Sequence, residues 1–192
     1  AYDDKLVPGF PVYLSLGQEA ISAGLSLVLP KSIKRFAQHR CHDIYICWGG
    51  NIRSLRDELL GLPSGCAKGM GGSASAHSPE TGLFGHDGHL GTQIPIACGY
   101  ALRKKQITLA IGGDAAFEEG FVIGAMGEAV TKKLPVLFVC YDNNLSLLTE
   151  IKVRRSWSIV DVARAQGMPA VDITNDPWLV AHHARELSKK LP

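Results

Sequence analysis

A chain of 192 residues, 46% apolar and 20% charged, is long enough to bury a substantial core and lacks the composition of a disordered segment. Its formal charge of +2 arises from scattered Lys and Arg without a basic stripe interleaved with aromatics, so no nucleic-acid partner is expected. Five cysteines (Cys41, Cys47, Cys66, Cys98 and Cys140) are odd in number and lack CxxC spacing, which argues against a disulfide framework or a zinc site. They suit a reducing compartment, and a cytoplasmic location is the expectation. No apolar run approaches the roughly 18 residues of a membrane span, and the start of the chain has no signal-peptide layout, so no membrane partner is expected either.

The first third of the chain is helical in flavour. Gly17 to Leu29 spaces its apolar residues at three and four, and Pro30 ends the helix because proline disfavours helical backbone in the residue before it. Arg53 to Gly61 predicts a second helix with a glycine stop. Between Gly61 and Gly91 the chain is rich in Gly, Ser and His and has no strong periodicity, which inside a compact domain marks a functional or mobile stretch.

A regular alternation follows. Ile94 to Lys104 predicts a helix, Ile107 to Gly112 a strand buried on both faces, and Phe117 to Lys133 a helix. Leu134 to Tyr141 predicts a second buried strand and Val160 to Gln166 a short helix. Ala170 to Ile173 predicts a third strand, and Pro177 to Leu191 a last helix. Strand alternating with helix implies an α/β fold, a parallel sheet flanked by helices with right-handed crossovers. The whole of 1–192 is expected to be a single domain.

In such a sheet ligands bind beyond the carboxyl ends of the strands. Asp114 stands just past one predicted strand and Asn144 just past the next, one helix crossover apart. A carboxylate, an amide oxygen and a backbone carbonyl make a hard oxygen site with room for phosphate oxygens, which is how Mg²⁺ is usually held. Gly112-Gly113 lets backbone approach a phosphate, and the next helix points its free N–H groups at the same place. Taken singly, Gly-Asp and Asn-Asn are ordinary turn signals; the pairing carries the reading.

These residues resemble a known family. Gly113-Asp114-Ala115-Ala116 with Asp142-Asn143-Asn144 is similar to the thiamine-diphosphate signature GDG…NN, and more narrowly to the alpha subunit of the E1 component of 2-oxoacid dehydrogenases. Leu16 to Ala20 resembles its xGQEA, His39 to His42 followed by Gly49-Gly50 its YRxH…GG, Lys68 to Ser73 its GKGRGGS, and Phe84 to Pro95 its FGGxGIVGAQxP. The blocks run in the family's order over nearly the whole chain.

The resemblance implies a thiamine-diphosphate-binding fold of the diphosphate (PP) type. It implies Asp114 and Asn144 as side-chain ligands of Mg²⁺, with the main-chain oxygen of Ser146 as a third. Main-chain atoms around Gly113, Ala115 and Ala116 would hold the diphosphate, with Arg40 as its fixed cation. Gly88 and Leu90 would present backbone to the aminopyrimidine, and His42 would be the catalytic histidine. The substrate would be a small 2-oxo acid or a ketose. The activating glutamate would come from a beta-type subunit carrying the pyrimidine-binding domain, in a heterotetramer.

Some residues depart from the pattern. The third glycine of GDG is Ala115, Tyr141-Asp142-Asn143-Asn144 is spelled more like transketolase, and the usual C-terminal portion of E1 alpha chains has no counterpart after Ile173 and one helix. Three functions are compatible: an E1 alpha-like subunit that decarboxylates a 2-oxo acid and passes on the acyl group, a split transketolase-like or acyloin synthase subunit, and a non-catalytic interaction subunit.

Overall fold

The computed structural model describes residues 11–192; the start of the chain, read above for a leader segment, lies outside them. Four strands form one parallel sheet in the order β2-β1-β3-β4. They are β1 (Lys34–Phe36), β2 (Leu83–Phe84), β3 (Thr108–Gly113) and β4 (Val136–Tyr141). The longest ladder joins β3 to β4, from Thr108 opposite Val136 to Gly113 opposite Tyr141. The α/β parallel architecture expected from the sequence is the one observed. Among the described residues no helix is long and apolar enough to cross a membrane.

Side chains of β3 alternate between two cores, as the pleat requires. Leu109 and Ile111 join Leu25, Ile44, Tyr141 and Val180 on one face, beneath α1 (Glu19–Val28), α2 (His42–Cys47) and α8 (Pro177–Ser188). Ala110 faces the other core with Phe36, Ile94, Phe117, Val122 and Met126, beneath α4 (Gln93–Lys104) and α5 (Gly120–Thr131). Three further helices, α3 (Ile52–Leu59), α6 (Ile151–Arg154) and α7 (Ile159–Ala165), connect this frame.

One buried acid ties the first core to the end of β4. Asp43 receives hydrogen bonds from Ser15 Oγ and Ser22 Oγ, each at 2.6 Å, and Tyr141 OH lies 2.8 Å from Ser22 Oγ. Among the described residues no cation pairs with this carboxylate; three hydroxyls solvate it. The same burial pushes the Tyr141 phenol well above its ordinary value, so it stays protonated and available as a donor.

The predicted strand at Ala170–Ile173 does not join the sheet. Pro169 offers no N–H, and the Ala170 carbonyl is already taken by the Arg164 guanidinium at 3.0 Å. Asn175 Nδ2 then fastens the chain to Gly17 O at 2.7 Å. The segment therefore stands off β4, and a cleft of about 960 Å³ separates them, lined by β4, Trp157, Met168, Val171 and Ile173.

Asp43→Ala is expected to lower stability by about 2–3 kcal/mol, because Ser15, Ser22 and Tyr141 would be left competing for too few acceptors. Denaturant midpoints check this, and Asp43→Asn, which keeps one oxygen, should lose less.

Candidate functional site

Parallel strands bring all their carboxyl ends to one edge. There β1 delivers Gln38, His39 and Arg40, β2 the loop from Gly85 to Leu90, β3 Asp114, and β4 Asp142 to Asn144. Asp114 opens a 3₁₀ helix, Asp114–Glu118, and is only 3% exposed. Its carboxylate is ion-paired with Arg154 of α6.

The same guanidinium lies 3.4 Å from Glu118 Oε1; Arg155 Nε lies 2.9 Å from that oxygen, and Arg155 Nη2 lies 3.5 Å from Asp142. Both arginines are partly buried, their side chains 13% and 7% exposed, and Arg154 Nε and Nη1 have no hydrogen-bond partner among the described residues. Neither arginine was singled out from sequence, although an Arg-Arg pair ten residues after Asn144 was the available signal. Glu118 is structural through these pairs.

A two-residue hairpin, β5 (Leu145–Ser146) with β6 (Thr149–Glu150), leads from Asn144 to α6 and lays β5 against the 3₁₀ helix. Ser146 thus comes to the corner that holds Asp114. Asn144 takes the left-handed backbone conformation (φ 63°) that Asn tolerates, and its side-chain oxygen accepts from Ile151 N at 3.4 Å. Asn144 borders the large cleft along β4. Asn143 instead lines a smaller cavity of about 360 Å³ with Arg40, Leu14, Leu16 and Gln18. Gln18 Oε1 is buried there without a partner, and Arg40 Nη1 donates to Leu14 O at 2.7 Å.

The residues fit a Mg²⁺–diphosphate group in three respects. Asp114 is a buried carboxylate at a strand end that already demands a positive counter-charge. A Cβ on Gly113 would stand 3.0 Å from Gln38 Oε1, so glycine keeps the backbone open at the place where phosphate would approach. Ala115 does not have positive φ, so alanine in place of the signature glycine leaves the turn unstrained. Ala116 beside it, within the same 3₁₀ helix, is buried.

His42 begins α2 and is buried, with Nε2 3.1 Å from Ser73 Oγ and 3.2 Å from Ser73 O. Ser73 closes the glycine-rich loop, and a second buried acid shapes that loop. Glu58 accepts four backbone N–H groups, from Ala67 (2.7 Å), Gly69 (2.9 Å), Gly71 (2.7 Å) and Gly72 (3.0 Å). Gly69 has φ 76°, and a Cβ there would meet the Gly61 carbonyl at 2.5 Å. Gly88 (φ 104°) and Leu90 lie exposed on the loop after β2, whose turn is pinned by Asp87 Oδ1 accepting from His89 N and Thr92 Oγ. The cysteines are free, and burial foremost raises the Cys140 thiol, which suits a core position and not a nucleophile.

Two measurements follow from this geometry. Glu58→Ala should unmoor the loop and cost about 2–4 kcal/mol, with faster hydrogen exchange at Ala67, Gly69, Gly71 and Gly72. Unchanged exchange would refute the anchoring role.

Burial foremost pushes His39 down to about 4 and holds His42 below its ordinary value. Both are neutral in the fold but protonate near pH 6.5 when unfolded, so the unfolded chain binds the extra protons in between. Stability should be full above about pH 6.5 and fall as pH drops toward 4. Denaturant titrations across that window should show the decline, and His39→Asn should flatten part of it.

The sequence model of the dehydrogenase E1 component family matches residues 2–189. The chain is 33% identical over 194 residues to "Pyruvate dehydrogenase E1 component subunit alpha-1, mitochondrial" of Oryza sativa subsp. japonica, covering 98% of this chain and 49% of the relative. It is 32% identical over 195 residues to the corresponding mitochondrial alpha subunit of Chaetomium thermophilum, covering 98% and 46%. With the alpha-1 subunit of Arabidopsis thaliana it shares 33% over 153 residues, 77% of this chain and 39% of the relative. The chain thus spans half or less of the length of these relatives.

Their names correct the expected cytoplasmic location, since all three are mitochondrial proteins; free thiols indicate a reducing environment without specifying the compartment. With a matched model over nearly its whole length and relatives above 30% identity, the chain belongs to the dehydrogenase E1 component family, on the alpha-subunit side.

Proposed function

We propose that this chain is the diphosphate-binding domain of a thiamine-diphosphate- and Mg²⁺-dependent 2-oxoacid dehydrogenase, acting with a beta-type partner that completes the active site. The observation that carries the reading is Asp114, a buried carboxylate at the carboxyl end of β3 whose charge is balanced by Arg154. A divalent cation would supply the same counter-charge there, and in this reading Ser146 O and Asn144 Oδ1 would join Asp114 as its hard donors. Arg40, across the small cavity from Asn143, is the cation available to a phosphate, in the fork geometry that suits one. Thiamine diphosphate held there would supply carbanion chemistry toward a 2-oxo acid.

The chain's own contribution is to bind and orient. In this reading the start of the 3₁₀ helix at Asp114 and the backbone of Gly88 and Leu90 would face the cofactor. His42, kept neutral by burial and tied to Ser73, is a proton acceptor or donor on the wall formed by the glycine-rich loop. Acyl transfer to an acceptor and the activating glutamate fall to the partner in this reading.

Asp114→Asn keeps the shape and an acceptor for Arg154 but removes the charge. Calorimetric titration with Mg²⁺ and thiamine diphosphate, with the beta-type partner present, should show affinity reduced by at least about 100-fold, equivalent to about 2.8 kcal/mol. Retained metal-dependent binding in a folded Asp114→Asn protein would overturn the assignment.

A further inference from the structure

Arg154 and Arg155 reach the same group of acids from the end of α6, but they are held very differently. Arg155 has a partner at every nitrogen: Nε lies 2.9 Å from Glu118 Oε1, Nη1 donates to Trp157 O, and Nη2 lies 3.5 Å from Asp142. Its guanidinium also lies over the Trp157 ring, 5.3 Å from the centroid. Arg154 reaches Asp114 and Glu118 through Nη2 alone, while its Nε and Nη1 are buried without a partner among the described residues. Buried donors left unmade are costly, so Arg154 is the less securely placed of the two.

The element that carries Arg154 has little else to hold it. α6 is a single turn that buries none of its residues, and Val153 within it is 72% exposed. The hairpin before it turns at Leu147 in the left-handed conformation (φ 53°), which a leucine rarely adopts, and Leu147 and Leu148 are each 94% exposed. Few apolar contacts therefore resist a displacement of Arg154.

We infer that Arg154 is an exchangeable counter-ion of Asp114: a divalent cation arriving at that carboxylate displaces the guanidinium, which shifts its contact to Glu118 while Arg155 stays in place. The inference rests on the reading of Asp114 as a metal ligand and adds that the metal must compete for it. A guanidinium and a metal ion do not share one buried carboxylate, because two cations so close repel strongly where the dielectric is low. Glu118 Oε1 is already 3.4 Å from Arg154 Nη2 and keeps a carboxylate beside the guanidinium once Asp114 is taken. Arg154 thereby sets the metal concentration at which the site loads, since only the fraction of molecules with Asp114 released is competent to bind.

The test follows the guanidinium itself. Full-length chain labelled with ¹⁵N-arginine, with the beta-type partner and thiamine diphosphate present, would be titrated with Mg²⁺ and observed by NMR, the Arg154 signal being assigned with Arg154→Lys. The Arg154 signal should move as the metal loads, and the Arg155 signal should stay. In calorimetry Arg154→Gln should bind Mg²⁺ tighter by about tenfold or more, and Arg154→Lys, which keeps a positive charge, should gain less. Mg²⁺ that loads through Asp114 while the Arg154 signal stays fixed overturns the exchange and leaves the metal anchor standing. Mg²⁺ binding that survives Asp114→Asn overturns the anchor and the exchange together, so the two failures are distinguishable.

Discussion

The arrangement depends first on a buried negative charge held by hydroxyl groups, with no cation paired to it among the described residues. Asp43 sits at the start of α2, and its two oxygens are taken by Ser15 before α1 and Ser22 within it, with the Tyr141 phenol linked through Ser22. Each hydroxyl comes from a different part of the chain, so the carboxylate fixes α1, α2 and the last residue of β4 relative to one another. Hydroxyl solvation of a buried carboxylate is directional, unlike an aliphatic contact, and it demands that all partners be present together. The consequence reaches the ligand edge directly, because Asp142 to Asn144 leave the sheet immediately after Tyr141.

At that edge the opposite solution is used. Asp114 is neutralised by a full positive charge, and the cation comes from α6, a single turn of helix delivered by the hairpin that follows Asn144. The order of elements is economical: strand β4 ends, the asparagine pair turns the chain, β5 lies against the 3₁₀ helix of Asp114, and two arginines return to the acids that helix carries. Asp114, Glu118 and Asp142 make a concentration of negative charge that Arg154 and Arg155 offset only as a network. Breaking one pair would leave a buried charge without a partner, which costs several kcal/mol.

Much of this was legible in the sequence where periodicity was long and the cause local. Continuous apolar runs gave β3 and β4, and the spacing of apolar residues gave α1, α4 and α8 to within a few residues. The short strands were hidden. β1 is Lys-Arg-Phe, and its Arg35 lies buried over the Trp48 ring with its donors on the carbonyls of Ile33 and Thr81, a placement that hydropathy reads as surface. β2 is two residues inside a glycine-rich stretch. The error at Ala170–Ile173 ran the other way: the residue types favour a strand, but proline and the Arg164 contact remove the backbone groups a ladder needs. The positions of Asp114 and Asn144 just past two strands were readable because the apolar runs before them are continuous. Arg154, Arg155 and Glu58 were not, since their roles arise from contacts across long sequence separations.

The glycine-rich loop has a mechanical character that follows from Glu58. Four N–H groups converge on two oxygens of one rigid side chain, itself held at the end of α3. Such a clasp has no half-open form: releasing one amide leaves the carboxylate under-solvated and weakens its hold on the other three. The loop should therefore switch as one unit between engaged and released states, carrying Ser73 and the orientation of His42 with it. The spacing of residues from Ala67 to Gly72 is then set by the reach of a single carboxylate, and insertion of one residue there should be far less tolerable than substitution at any of its exposed positions.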